Sequence, residues 1–181
     1  EVQFQEEKQR IGASAREMVR DAEAILLDAG TTTEQIAVNL RDLKGKTVIT
    51  NALNVVLHLI DVQDIAVVLI GGVLNPITRC FSGFHAEQFL GQFRVDIAFI
   101  SAGGVTTEGA RNTNTVEVQI KKTMMQIADR CVLAVTHDKI GKLSLAPFAQ
   151  LSEFDAILTD GKADPAILAD LHRHGPEIVT C

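Results

Sequence analysis

A chain of 181 residues, 46% hydrophobic and 22% charged, can bury a full core and suits one globular domain. No apolar run approaches the ~18 residues of a membrane-spanning helix, and the opening EVQFQEEKQR is too polar for a signal peptide, so a soluble, cytoplasmic protein is expected. The net charge of −6, with basic residues dispersed among acids, lacks the electrostatic footprint of a phosphate-backbone binder, and the polypeptide alone is not expected to bind DNA.

In chain order, residues 6–21 set Ile11, Ala15, Met18 and Val19 at helical spacing among charges, which predicts an amphipathic leading helix. The pattern then changes. Apolar, β-branched runs occupy residues 24–28, 47–50, 65–70, 96–100, 131–135 and 155–159. They lack polar alternation, as strands covered on both faces of a parallel sheet do. Helical patterns alternate with them at 33–43, 52–60, 84–93, 115–129 and 165–174. The alternation predicts an α/β fold, a mostly parallel layered sheet with helices on both faces. LSLAPFAQLSEF, residues 143–154, shows no regular period and reads as an insertion over one edge.

Ligands of open α/β sheets bind outside the carboxyl ends of the strands. Here those ends read DAGTTT, TNALN, GGVLNP, SAGGVTTEG and THDKIGK. Glycines let backbone amides approach a ligand and hydroxyls donate to its oxygens, so a polar, anionic small molecule is expected, with Lys139 as the cation. Thr31, followed by Glu34 and then Ile36, Ala37 and Leu40, matches a capping box. Such a box leaves other helix-start amides open as an anion seat, to which Thr32 and Thr33 add hydroxyls. The Gly-x-x-x-x-Gly-Lys-Ser/Thr pattern is absent, and nucleotide hydrolysis is not indicated.

Several of the same residues have plainer readings. Glu117 and Lys121 are spaced i, i+4 and read first as a surface pair, worth only ~0.2–0.5 kcal/mol. Asp28 can serve as an Asx residue of its turn; Asn51 and Asn54 can cap; Gly71 and Gly72 can supply positive φ. Cys80, Cys131 and Cys181 have neither disulfide nor zinc spacing, and the histidines propose no metal. No cofactor is expected.

Taken together and in order, ILLDAGTTT, VITNALNV, VVLIGGVLNP, DIAFISAGGVTTEG, EVQIKKTM and THDKIGK resemble the effector-binding C-terminal domain of DeoR-family transcriptional repressors, over essentially the whole chain. The resemblance implies the fold shared by ribose-5-phosphate isomerase and glucosamine-6-phosphate deaminase. It makes residues 1–181 a single effector domain, with 1–22 as a leading helix and an N-terminal winged helix-turn-helix expected in the full protein. It implies a phosphorylated sugar as effector, operator DNA as a partner only through that missing module, and a homodimer or homotetramer controlling carbohydrate-metabolism genes. Phosphate and hydroxyl contacts would fall at Asp28, Gly30, Thr31, Thr32, Thr33 and Asn51. Gly71 and Gly72 would make a close-approach turn, and Ser101, Gly103 and Gly104 would line the middle of the crevice. Glu117 and Lys121 would supply an acid and a base, and Lys139 matches the lysine of the family's Ser-Lys-Phe-Gly turn. That turn departs from the usual form: Thr136 stands for an aspartate, Asp138 for serine and Ile140 for phenylalanine. An isomerase or deaminase of the same fold is the alternative. It would need a proton-transfer group at the reacting carbon, where SAGGVTTEG offers serine and glycine in place of the isomerases' aspartate-rich motif. A coenzyme A transferase-like subunit has only fold-level support.

Overall fold

The computed structural model describes residues 3–181; Glu1 and Val2, the start of the expected leading segment, lie outside them. Helix α1 (Gln5–Met18) buries Ile11, Gly12 and Ala15. It packs along α2 (Thr31–Leu40), and a Cβ on Gly12 would lie 2.6 Å from the Gln35 carbonyl oxygen, so only glycine permits this approach. The strands β1 (Ala24–Leu27), β2 (Lys46–Thr50), β3 (Ile65–Leu69), β6 (Val95–Ile100), β9 (Ala128–Ala134), β11 (Ala156–Thr159) and β12 (Glu177–Thr180) form one parallel sheet, in the order β12-β11-β9-β6-β1-β2-β3. Connecting them are α3 (Leu53–Leu59), α4 (Phe84–Leu90), α5 (Val118–Gln126) and α6 (Pro165–His172).

The expected two-sided burial is present. Leu26 lies level with Ile49 and Ala98 in register, and these join Leu133 and Ile157 in the core beneath α4, α5 and α6. Ile25, Leu27, Phe99, Val132 and Leu158 point the other way, into the core beneath α1, α2 and α3. Each of these side chains larger than alanine contributes about 1.5–3 kcal/mol of burial, so alternate residues of one strand hold opposite layers.

Four features differ from the sequence expectation. Residues 143–154 are not an irregular insertion: β10 (Ala146–Ala149) pairs with β8 (Gly109–Asn112), which pairs with β7 (Gly104–Thr106), in a small antiparallel sheet. Pro147 and a register shift before Ala149 interrupt the period, while Phe148 and Phe154 anchor the segment by meeting edge to face at 6.3 Å. A hairpin of β4 (Val73–Asn75) and β5 (Cys80–Ser82) follows β3, its strands too short to show a pattern. The helix expected to run to 129 stops at Gln126, because Ala128 and Asp129 already belong to β9. β12 was not anticipated either, since it is a four-residue strand at the sheet edge in which only Ile178 and Val179 are half-buried.

From β1 the chain steps outward through β2 to β3; from β6 it steps the opposite way through β9 and β11 to β12. β1 and β6 are neighbours, so the order reverses between them. The loops leaving their carboxyl ends diverge and open a crevice there.

Candidate functional site

A cavity of about 400 Å³ occupies that switch point. Its base is formed by Ala29, Gly30, Thr31 and Thr32 after β1, and by Ser101, Ala102 and Gly103 after β6. Gly30 sits close against Ser101, whose side chain would lie 3.1 Å from a Cβ placed there. Gly30 is also the N-cap of α2, and no side chain caps this helix. The capping-box expectation is therefore corrected: Thr31 is the first helical residue rather than the cap, and the Thr33 hydroxyl donates back to the Gly30 carbonyl at 2.9 Å. Glu34 turns away, accepting from Asn54 at 3.3 Å and pairing with His58 at 2.8 Å. The first intrahelical bond runs from Glu34 N–H to the Gly30 carbonyl at 2.9 Å, so the amides of Thr31, Thr32 and Thr33 precede the helical ladder. The helix dipole adds partial positive charge at that place.

Beneath the base lies a closed network. Asp28 accepts from the Ser101 N–H at 2.9 Å and from its hydroxyl at 2.7 Å. Lys121 pairs with Asp28 and donates to the Ser101 carbonyl at 3.0 Å and hydroxyl oxygen at 3.1 Å. The Asp28 and Lys121 side chains are 2% and 1% exposed, and the Lys121 ammonium also lies 5.6 Å from the centre of the Phe148 ring. Glu117 and Lys121 are thus not a surface pair. Glu117 is buried, accepts from Asn112 at 3.2 Å and from the Cys80 thiol at 3.3 Å, and lines the cavity with one edge. Burial raises its carboxyl, but the Thr78 hydroxyl, the Lys121 charge and the Cys80 and Asn112 donors outweigh that and hold it below the ordinary value. The Cys80 thiol is pushed up to about 12 by burial and stays protonated.

On the β9 side, Thr136 leads into a 3-10 turn, His137–Lys139. Lys139 pairs with Asp138 at 2.8 Å, and the Thr136 hydroxyl donates to Asp138 at 2.5 Å. Two of the three departures from the usual turn, Thr136 and Asp138, therefore form one local unit with Lys139, which still lines the cavity. His137 is held from behind: its N–H and Nδ1 meet the fully buried Asp160 at 2.8 and 3.0 Å.

Of the residues expected at the site, Gly30, Thr31, Thr32, Ser101, Gly103, Glu117 and Lys139 line the cavity. Asp28, Thr33 and Lys121 sit one layer beneath or behind it. Asn51 faces the β4–β5 hairpin, donating to the Phe81 carbonyl at 2.9 Å. Gly72 makes the close-approach turn, with φ 150° and a virtual Cβ 2.6 Å from the Ser82 carbonyl, while Gly71 meets nothing; neither reaches the cavity. Gly104 begins β7, pressed against the Lys142 carbonyl. Sequence reasoning missed Lys8 from α1, Thr78 and Arg79 from the hairpin, Asn112 at the end of β8 and Thr113 after it, and Lys142. For all but Lys142 the signal was weak because they come from α1, the hairpin and the small sheet, none of which ends a strand of the main sheet; Lys142 closes THDKIGK, in which Lys139 was taken as the cation. Four basic side chains, Lys8, Arg79, Lys139 and Lys142, and two carboxylates, Glu117 and Asp138, thus ring one cavity of an acidic chain.

Comparison with known proteins places the chain in a family. The family model described as DeoR C terminal sensor domain matches residues 3–161. The HTH-type transcriptional repressor GlcR of Bacillus subtilis is 32% identical, over 96% of this chain and 67% of its own length. The HTH-type transcriptional regulator IolR of the same organism is 31% identical, over 90% and 65%. The glycerol-3-phosphate regulon repressor of Escherichia coli is 27% identical, over 97% and 70%. This chain thus spans about two thirds of the length of the curated relatives it matches. Among solved structures, a ribose 5-phosphate isomerase A from Methanocaldococcus jannaschii superposes with TM-score 0.52 at 18% identity, over 73% of this chain and 52% of its own. The eIF2B beta structure from Chaetomium thermophilum gives 0.56 at 11% identity, over 94% and 54%. At these identities the structural likeness speaks for the fold alone.

Proposed function

The chain belongs to the DeoR C-terminal sensor domain family, and from that premise we propose that its cavity senses a phosphorylated sugar and reports it to a DNA-binding module elsewhere in the full protein. One observation carries this reading: the open amides at the start of α2 face a cavity ringed by Lys8, Arg79, Lys139 and Lys142, in a chain whose net charge is −6. A phosphomonoester brings about −1.5 to −2 charge and three acceptor oxygens, which match helix amides, the Thr31 and Thr32 hydroxyls and a lysine. The polar rim of Ser101, Asn112 and Thr113 then suits sugar hydroxyls. A relative that is named a glycerol-3-phosphate regulon repressor supports a phosphate ester as the ligand class.

An isomerase or deaminase reading rests on Glu117, the one glutamate at the cavity among the described residues. A general base works best with a pKa near the operating pH, and the surroundings of Glu117 drive its carboxyl the other way. The lowered carboxyl favours binding without turnover. The sensor acts in the cytoplasm as a homo-oligomer, where effector binding shifts the arrangement of subunits. A coupling of about 1–3 kcal/mol changes operator occupancy several-fold.

The test is a screen of the purified chain against aldose and ketose phosphates and the matching free sugars, following both binding and conversion. With ligand at about a hundred times its dissociation constant, binding adds ~2.7 kcal/mol of stability, visible as a rise in melting temperature. Thr32→Asp sets a carboxylate where the anion sits. It is expected to erase that rise while leaving the fold intact, because acids are tolerated at a helix N-terminus. Equal stabilisation by free sugars, a full response from Thr32→Asp, or conversion of any probe would each count against the sensor reading.

A further inference from the structure

The buried face of α1 runs through Lys8, Ile11, Gly12 and Ala15, positions three and four apart. All but the first are apolar. Lys8 is 7% exposed, lines the cavity, and spends one of its three donors on the Gln3 carbonyl at 2.8 Å. Among the described residues it has no carboxylate within ion-pair distance. The contrast with its neighbour is direct: Glu7, equally buried, pairs with Lys162. Asp138, the acid whose field acts most on Lys8, is engaged by Lys139 and Thr136. Burial pushes the Lys8 ammonium down, Asp138 draws it partly back, and Lys139 opposes that recovery.

A buried cation without a counter-ion opposes folding, and helix packing has no need of it, since an apolar residue would complete the stripe. The first turn of α1 is nonetheless fixed beside the cavity. Phe4, which lines the cavity too, holds a left-handed φ of 60° and packs edge to face on His137 at 4.8 Å. Its carbonyl accepts from the Lys8 N–H at 3.0 Å.

We propose that Lys8 is an anion-ligating residue of this cavity, so that the phosphate is held by α1 as well as by α2 and its binding ties the first turn of α1 to the sheet edge. The assignment rests on the sugar-phosphate reading above and names a residue and an element that the strand-end motifs do not contain. It also gives the effector a direct hold on the earliest helix of the chain, in place of a relay through the core.

The assignment carries a signature that a merely structural lysine lacks. Lys8→Met removes a buried charge that has no ion-pair partner among the described residues, so the unliganded variant unfolds at the same urea concentration as the parent or a higher one. The same variant binds sugar monophosphates roughly ten- to hundredfold more weakly, as expected for loss of a charged hydrogen bond. Its affinity also falls less steeply with salt than the parent's does. Titration calorimetry with a panel of aldose and ketose monophosphates and inorganic phosphate reads the affinities, and hydrogen exchange of the first turn of α1 reads the tie. That turn gains protection on binding in the parent and not in Lys8→Met; Lys8→Gln serves if the methionine variant does not fold. Parent-like affinity and salt dependence in the folded variant overturn the Lys8 assignment alone, provided Thr32→Asp has lost binding. If the parent takes none of the probes, the sugar-phosphate reading falls first and this assignment with it.

Discussion

The layer beneath the cavity and the layer that faces it use similar residue types to opposite ends. In the lower layer, Asp28, Ser101 and Lys121 close on one another, and the carboxylate, amide, hydroxyl and ammonium all have partners. In the upper layer the α2 amides and Lys8 carry donors left unmatched among the described residues, where the Lys8 ammonium has only a carbonyl. A saturated polar network rigidifies the base, whereas unsaturated donors of one sign are disposed to receive an anion. Degree of satisfaction, rather than residue identity, separates support from site.

The strongest way to break this contrast is to unbalance the lower layer. Lys121→Met leaves Asp28 charged and buried without its cation, and is expected to lower unfolding free energy by about 3–5 kcal/mol in urea titrations. Adding Asp28→Asn to it should recover part of that loss, because the uncompensated charge is gone. If Lys121→Met is neutral, the pair is not the closed network described here.

A smaller effect sharpens the boundary between the layers within three consecutive residues. Thr33→Val removes a buried hydroxyl that serves only the Gly30 carbonyl. It should cost about 0.5–1.5 kcal/mol of stability by thermal melting and leave ligand-induced stabilisation unchanged. Its neighbour Thr32, which lines the cavity, should show the reverse when replaced by aspartate. A Thr33→Val variant that folds normally but no longer responds to ligand would move the boundary one residue inward.

The mildest effect is on pH. Because the carboxyl of Glu117 lies below its ordinary 4.5 in the folded chain, it contributes stability that is present above that value and lost as pH falls through the lower, folded one. Glu117→Gln should therefore be less stable than the parent near neutrality, with the difference shrinking in acid. A difference that instead grew below pH 4.5 would mean that Glu117 is protonated in the fold, reopening its use as an acid.

The unbroken apolar runs and the helical periods between them determined the layered parallel sheet, because a strand covered on both faces must be apolar on both and a helix on its surface must be apolar on one. The residues after β1 and β6 were legible as a site for the same reason: open α/β sheets bind at strand ends, and GTTT and SAGG stand at two of them. Tertiary structure alone decided how those residues divide. Nothing local separates Thr32, at the cavity, from Thr33, behind it, or marks Lys121 as the partner of Asp28, 93 positions away, in place of Glu117, one turn away. Lys8 is the sharpest case. In the sequence it is one charge in EEKQR, the composition of a solvated helix face. Only the packing of α1 on α2, set by the missing Cβ of Gly12, turns it inward to the cavity, because burial belongs to the assembled surfaces and not to the residue.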